Sequence, residues 1–557
     1  MKILLAACNA KYIHANLAVY NLRAYASSYK DYVCIKEFTI NQPKDEIMKE
    51  IYRSRADVVC FSCYIWNISF VKELAEDLKK LLPDTAFWAG GPEVSFHGEN
   101  FLRSMPQFTG VMVGEGEETF LELAGFYAEK KGHLRDIRGI IYRDGEKICR
   151  SEPRDTAELD KIPFVYEQIE NFSNRIIYYE SSRGCPFSCS YCLSSIDRKL
   201  RFRNLSLVKK ELQFFLDHKV PQVKFVDRTF NCRHSHAEEI WRYILEHDNG
   251  VTNFHFEVSA DLLTEEELEL LGKMRPGLIQ LEIGVQSSNP ETLRAIRRKT
   301  DLWKLEKAVA KVKSRRNIHQ HLDLIAGLPY EDYESFRRSF NYVYGMQPDQ
   351  LQLGFLKILK GSAMELEAPG YGIICKEREP YEVLATKWLS YEEILKLKMV
   401  ESMVEVYYNS GQFQHTLNWL MKFWKDAFSF YESLGRFYEK KGYGEISHSR
   451  IRRYEILLEF LQEETELSPE EASRNMVFDL YLREKLKKRP GFALDQKVYE
   501  KAVRAYRKEH HVPKTAHIEV FQDGTAVLFD YDRRDPLSYN AFTEEICLRE
   551  DKSTAER

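Results

Sequence analysis

The chain has 557 residues, of which 44% are hydrophobic and 30% charged, and a formal net charge of -4. That composition excludes a largely disordered protein and suits roughly three or four folded domains. The slight negative balance gives no global basic footprint, so a nucleic-acid partner would need a local patch.

The N-terminus MKILLAACNAKYIHANLAVY has its apolar run broken by Lys11, His14 and Asn16, so neither a signal peptide nor a membrane span is expected. Short apolar runs at 2–7, 32–38, 57–64, 85–91 and 110–116 then alternate with amphipathic stretches. Near-continuous apolar strands alternating with helices predict a parallel, doubly wound (Rossmann-like) sheet over residues 1–138. Ligands of such sheets sit at the carboxyl ends of the strands. A hairpin turning at Asp144-Gly145 and a polar linker are expected over 139–174. Six further strand and helix units, beginning at 176, 223, 253, 278, 319 and 351, predict a partial (β/α)6 barrel over 175–384. From 385 to 557 the expectation is a mainly helical domain ending in a β-hairpin at Asp523-Gly524. The fold class is therefore α/β multidomain.

Eleven cysteines in a chain of this size point to metal or redox chemistry in the cytoplasm rather than to a disulfide framework. Three of them, Cys185, Cys189 and Cys192, fall in RGCPFSCSYC at the end of the first barrel strand. Three thiolates at this spacing suit an iron–sulfur cube, each taking one iron and leaving a fourth iron open. The alternatives are an incomplete zinc site, for which no second CxxC exists, or three unpaired thiols. Cys232, His234 and His236 sit at a helix start, where capping or lining of a neighbouring site is expected.

The cysteine motif, with Tyr191 before its last cysteine, resembles that of the radical S-adenosylmethionine (SAM) enzymes over roughly residues 175 to 360. The resemblance implies a [4Fe-4S] cluster ligated by Cys185, Cys189 and Cys192, with SAM on the open iron and reductive cleavage to a 5′-deoxyadenosyl radical. It implies SAM contacts from Asp227 and Arg228 in KFVDRTF, although the common Gly-Gly-Glu form is absent. Further implied contacts are Glu257 and Ser259 in FEVSA, Glu282, Gly284 and Gln286 in EIGVQS, Arg298 in IRRKT, and Ile325, Gly327 and Leu328 in IAGLP.

The first domain resembles the cobalamin-binding domain of the B12-dependent members of that family. The resemblance assigns cobalamin contacts to Lys11, Tyr12 and His14, to Ser62, Tyr64, Trp66 and Asn67, to Gly90, Gly91, Pro92 and Glu93, and to Gly114, Glu115 and Gly116. His14 lies where related base-off proteins place a cobalt ligand, but position 12 is Tyr rather than Asp and position 17 is Leu rather than Gly, so that role is not carried over. Tyr64 and Trp66 are read as covering the lower cobalt face.

The implied activity is methylation of an unactivated carbon by way of methylcobalamin. The alternatives are a non-methylating rearrangement, cyclisation or redox reaction, and a non-catalytic cobalamin sensor or carrier. The implied partners are a low-potential donor of flavodoxin or ferredoxin type and a small metabolite or peptide substrate in preference to tRNA. The basic runs EKLKKRPG and RIRRYE are offset by the acidic stretch EETELSPEEAS.

Overall fold

The computed structural model describes residues 1–548. Residues 549–557, the end of the expected C-terminal domain, lie outside the described residues. Among the described residues no helix is long and apolar enough to cross a membrane.

The first sheet contains β1 (Ile3–Asn9), β2 (Val33–Thr39), β3 (Val58–Ser62), β4 (Ala86–Gly90), β5 (Gly110–Met112), β6 (Ile140–Asp144) and β7 (Lys147–Arg150) in the order β2-β1-β3-β4-β5-β6-β7. The first five are parallel. Alternation of side chains sends Leu4, Ala6, Val59 and Phe61 into one apolar layer and Ile3, Leu5, Val58 and Cys60 into the other. Both faces are buried, which is why the strands read as unbroken apolar runs. β6 joins β5 antiparallel and β7 joins β6. The hairpin read from the sequence as linker is thus the edge of the first sheet, because the pattern of one hairpin does not reveal its neighbour.

The second sheet holds β8 (Ile177–Tyr179), β11 (Gln222–Phe225), β12 (Asn253–Val258), β13 (Ile279–Gln286), β14 (His319–Ala326) and β15 (Gln350–Phe355), in sequential order and all parallel. A short ladder of β9 (Ser182–Arg183) and β10 (Arg201–Phe202) closes the base of the cysteine loop. Along β13, Ile279, Leu281, Ile283 and Val285 are buried in the core, while Gln280, Glu282, Gly284 and Gln286 take the opposite face. An open barrel has two edges, and both are covered. The Asn409 side chain accepts from the Leu351 amide and donates to its carbonyl, both at 2.9 Å, on the β15 edge. At the other edge Ile176 donates to the Ile13 carbonyl at 2.8 Å, from the first domain.

After the barrel, a hairpin of β16 (Ile374–Cys375) and β17 (Val383–Ala385) leads into helices Tyr391–Met403, Gln414–Leu420, Ala427–Lys441, Arg450–Glu464 and Pro469–Arg483. They share one apolar core with the barrel, in which Phe340 meets Phe428 at 5.4 Å between ring centroids. The chain then forms β18 (His517–Val520), β19 (Ala526–Arg534) and β20 (Ala541–Ile546). The expected terminal hairpin therefore carries a third antiparallel strand.

Gly91, just past β4, has φ +114°, and a Cβ there would overlap the Cys63 carbonyl oxygen. Gly114, past β5, has φ +75° with nothing within 4 Å of a built Cβ. Gly91→Ala should cost about 2 kcal/mol or more, and Gly114→Ala clearly less, as read from urea midpoints.

Candidate functional site

The cysteine loop follows β8 and is pinned by backbone bonds. Cys185 donates its amide to the Asp197 carbonyl at 2.9 Å, and Ser190 to that of Ile296 at 2.9 Å. The Met364 amide donates to the Ser190 carbonyl at 2.8 Å. Cys185 and Cys189 are buried and Cys192 is half-buried. Among the described residues no three His, Cys, Asp or Glu side chains converge on a single ion. Three soft thiols spread along one loop suit a polynuclear iron–sulfur group, where each takes its own iron, better than a mononuclear tetrahedron.

Arg298 stands beside them. It donates to the Gly284 carbonyl, lies 3.5 Å from the Tyr191 hydroxyl and leaves its buried Nε without a partner. Burial pushes the Cys189 thiol up, and the Arg298 guanidinium pulls it back. A Cβ on Gly284 would overlap the Gln286 amide and displace the free end of that side chain. Gln286 has φ +72° at a register shift between β13 and β14, and its buried Oε1 is also unpaired. A donor and an acceptor left open near the thiols suit a ligand carrying both a carboxylate and an ammonium.

Several residues expected at the SAM site do other work. Asp227 is 1% exposed and accepts from the Ser181 amide at 3.0 Å and from the Ser181 and Ser182 hydroxyls at 2.6 Å each. Burial raises its carboxyl to about 6, against those hydrogen bonds. It anchors the chain entering the cysteine loop. Ser259 donates its hydroxyl to Asp261 at 2.7 Å and its amide to Asn231 at 2.9 Å, tying two loops together. Leu328 is core, and Gly327 packs against Val383 of β17. Ile325 is half-buried on β14. His236 accompanies Asp227, with Nε2 3.0 Å from the Ser181 hydroxyl, and His234 pairs with Glu267 at 3.1 Å.

Arg228 and Glu257 do face open space, 3.6 Å apart. Burial lifts the Glu257 carboxyl to about 7, with Arg228 opposing. Glu282 sits inside the barrel 3.0 Å from both Lys224 and His255. Burial works against its charge, but His255 and Lys224 hold it down to about 2. The neighbouring strand adds His321 and Asp323, 3.0 Å apart.

A cavity of about 850 Å³ lies between the two sheets. The first sheet contributes the ends of its strands: His14, Ser62, Tyr64, Trp66, Gly90, Gly91, Pro92, Gly114, Glu115 and Gly116. The barrel contributes Tyr178, Glu180, Arg183, Leu193, Lys224, Arg228 and Glu257. The Tyr64 and Trp66 rings stack at 4.4 Å and 7°, and the indole donates to the Cys8 carbonyl at 3.3 Å. A glycine-rich rim beside a flat aromatic pair suits a large planar ligand such as a corrin. His14 Nδ1 lies 2.6 Å from the Tyr178 hydroxyl, and burial, then Lys11 and Lys224, lower its pKa.

Four expected cobalamin residues do not line this cavity. Lys11 and Tyr12 are exposed, with Tyr12 under the Arg175 guanidinium. Asn67 is 1% exposed and donates to the Cys8 and Ser62 carbonyls at 2.9 Å, fixing the loop that carries Trp66. Glu93 is buried and accepts from Tyr381 at 2.9 Å and Lys360 at 3.2 Å, clamping the first domain to the segment after the barrel. The sequence reading missed Arg183, Glu117 and Arg201. Arg183 reaches Glu117 at 2.6 Å and Glu180 at 2.9 Å, and Arg201 reaches Glu115 at 2.5 Å. Arg183 stands inside the quoted cysteine motif, but its partner across the joint, Glu117, is distant in sequence and left no local signal.

Glu282→Gln should lose about 3 kcal/mol at neutral pH by leaving Lys224 and His255 buried beside an uncharged group. The Glu282 pKa is depressed on folding, so its stabilisation is present above the unfolded value and fades as pH falls toward about 2. The difference between the two proteins in urea denaturation should therefore shrink as pH drops below about 4.5.

Three family models match the chain in succession: B12 binding domain over residues 3–124, Radical SAM superfamily over 179–343, and Protein of unknown function (DUF4080) over 369–534. Cobalamin-dependent radical SAM methyltransferase TokK of Streptomyces tokunonensis is 27% identical over 308 residues, covering 50% of this chain and 44% of TokK. The anaerobic magnesium-protoporphyrin IX monomethyl ester cyclase of Rubrivivax gelatinosus is 22% identical over 337 residues, covering 58% of this chain and 60% of the cyclase. This chain thus spans less than half the length of TokK. The structure of the cobalamin-dependent S-adenosylmethionine radical enzyme OxsB, with aqua-cobalamin and S-adenosylmethionine bound, shares the fold at TM-score 0.61 and 15% identity, over 94% of this chain and 82% of that one. The chain thus carries a doubly wound sheet matched as a B12 binding domain, followed by an open parallel barrel, with its three-cysteine loop, matched as a Radical SAM superfamily domain.

Proposed function

We propose that this protein is a cobalamin-dependent radical SAM enzyme that methylates an unactivated carbon. One observation carries the reading: a single cavity is walled by the glycine-rich strand ends of the first sheet and by the mouth of the barrel that bears the cysteine loop. When bound, the cofactors supply a hydrogen-abstracting radical from SAM and a transferable methyl group on cobalt. Cys185, Cys189 and Cys192 would hold the cluster, and Arg298 and Gln286 would orient the amino-acid end of SAM through their unpaired atoms. Gly90, Gly91, Gly114 and Gly116 would cradle the corrin, with Tyr64 and Trp66 packed against it. Walls from two domains flank the space where the cofactors would meet, and a radical formed there has to be shielded from water. Arg228, Glu257 and Lys224 would face the reactants. The cytoplasm, with a low-potential one-electron donor of flavodoxin or ferredoxin type, is the setting that this chemistry needs.

The relationship to the Rubrivivax cyclase supports a second reading, a radical ring closure or oxidation without methyl transfer.

The test is anaerobic reconstitution with iron, sulfide and cobalamin, then a low-potential reductant and methyl-deuterated SAM, followed by mass spectrometry. Methyl transfer predicts deuterium on the recovered cobalamin and 5′-deoxyadenosine in the same sample. Deoxyadenosine with unlabelled cobalamin would move the assignment to the second reading. Neither product from protein that retains its iron would overturn both. Cys192→Ala should lose most of the iron and all deoxyadenosine.

A further inference from the structure

We propose that Thr229 is a positioning residue that raises the reduction potential of the iron–sulfur group by donating its hydroxyl to the Cys185 thiolate; this rests on the radical SAM reading of the thiols. Thr229 is half-buried on the segment that follows β11, and its Oγ1 lies 3.7 Å from the Cys185 sulfur. Sulfur is a large acceptor, so this separation is a hydrogen bond. Between a hydroxyl and a free thiol either group can donate. A thiolate bound to iron has no proton, so only the Thr229 hydroxyl can then donate. That hydroxyl makes no other hydrogen bond among the described residues.

Both partners are held in place. Phe230, the next residue, is core, with its ring 4.3 Å from that of Phe256 and 5.4 Å from that of Trp241. Asn231 exchanges two bonds with the Ser259 backbone, each 2.9 Å. The Thr229 carbonyl accepts from the Cys232 amide at 2.9 Å. A β-branched side chain is stiff at χ1, so these anchors also fix where the hydroxyl sits. Opposite it, Cys185 is buried and its amide is tied to the Asp197 carbonyl. Asp227, on the same segment, has its oxygens occupied by Ser181 and Ser182 and does not compete for the hydroxyl. Reduction adds one electron to the cluster and negative charge to its thiolates. A donor to sulfur therefore stabilises the reduced form more than the oxidised one, and a buried, low-dielectric setting strengthens the effect. No bond is made or broken in that step. The hydroxyl acts on the electron only through the sulfur that ligates iron.

The test is a redox titration of the reconstituted full chain without SAM. The protein is poised anaerobically with europium(II) chelates and viologen mediators, and the reduced cluster is read by electron paramagnetic resonance. Thr229→Val keeps the shape of the side chain and removes the donor. At a fixed potential its ratio of reduced to oxidised cluster should fall about threefold to tenfold, where tenfold is about 59 mV for one electron. Thr229→Ala, which adds no bulk, should shift in the same direction. Thr229→Ser, which keeps the hydroxyl, should hold the wild-type potential. Iron content should stay at the wild-type level in all three. Equal potentials in wild type, Thr229→Val and Thr229→Ala would overturn the proposal. So would a shift as large in Thr229→Ser as in Thr229→Val, which would assign the effect to packing. Loss of iron from both Thr229→Val and Thr229→Ala would also overturn it, by making the hydroxyl's role assembly of the cluster. Failure of the radical SAM reading looks different: the wild-type chain itself would assemble no redox-active cluster, and the proposal would fall with that reading.

Discussion

The cavity exists because charges at the joint between the two sheets hold them end to end. Arg183, at the start of the cysteine motif, reaches Glu117 of the first domain and Glu180 of the barrel. Arg201, across the β9–β10 ladder, reaches Glu115 and Asp197. These arginine side chains are only 15% and 11% exposed. Such pairs add little net stability, because desolvating the ions offsets most of the attraction, but removing one partner strands a buried charge. Their effect is specificity of arrangement. They oppose the carboxyl ends of two sheets whose ligand-binding edges would otherwise face solvent separately.

The same logic recurs around the joint. Glu37 of β2 pairs with Arg175 just before β8, and His14 meets Tyr178. On the far side Glu93 accepts from Tyr381 and Lys360, and Phe96 packs against Gly361, which has no Cβ to obstruct it. The first domain is therefore gripped by segments both before and after the barrel. The helical block completes the frame by sharing the barrel's core and by placing Asn409 on the open edge of β15.

The inside of the barrel is unusual for its class. Parallel barrels are ordinarily filled by layers of branched apolar side chains. Here Lys224, His255, Glu282, His321 and Asp323 occupy the interior, and buried atoms of Gln286, Arg298 and His319 lack partners. Polar atoms left unpaired in a low-dielectric space cost stability. A site that binds polar reactants has to carry that cost before they arrive. Glu257 and Glu282, neighbours in strand register, are driven to opposite protonation tendencies: Glu257 has only Arg228, at 3.6 Å, against its burial, whereas Glu282 has both Lys224 and His255 at 3.0 Å.

The sequence by itself determined the two parallel sheets, the order of their strands along the chain and the cysteine loop, because each rests on local signals: apolar runs, helical periodicity and the spacing Cys185, Cys189, Cys192. It also pointed to Gly90, Gly91, Gly114 and Gly116, since glycines at strand ends are visible in one dimension. Tertiary structure alone decided which polar residues near those signals face the cavity. Asp227, Asn67 and Glu93 sit within the motifs yet turn away to satisfy backbone amides, carbonyls or hydroxyls. Arg183 and Lys224 stand first in their motifs and Glu117 and His255 outside any, with no sequence signal for their partners, yet they meet across the joint or within the barrel. The reason is physical: a strand's pattern records which side chains are buried, but a buried charge or amide is placed by partners far away in the chain, and that pairing is written only in three dimensions.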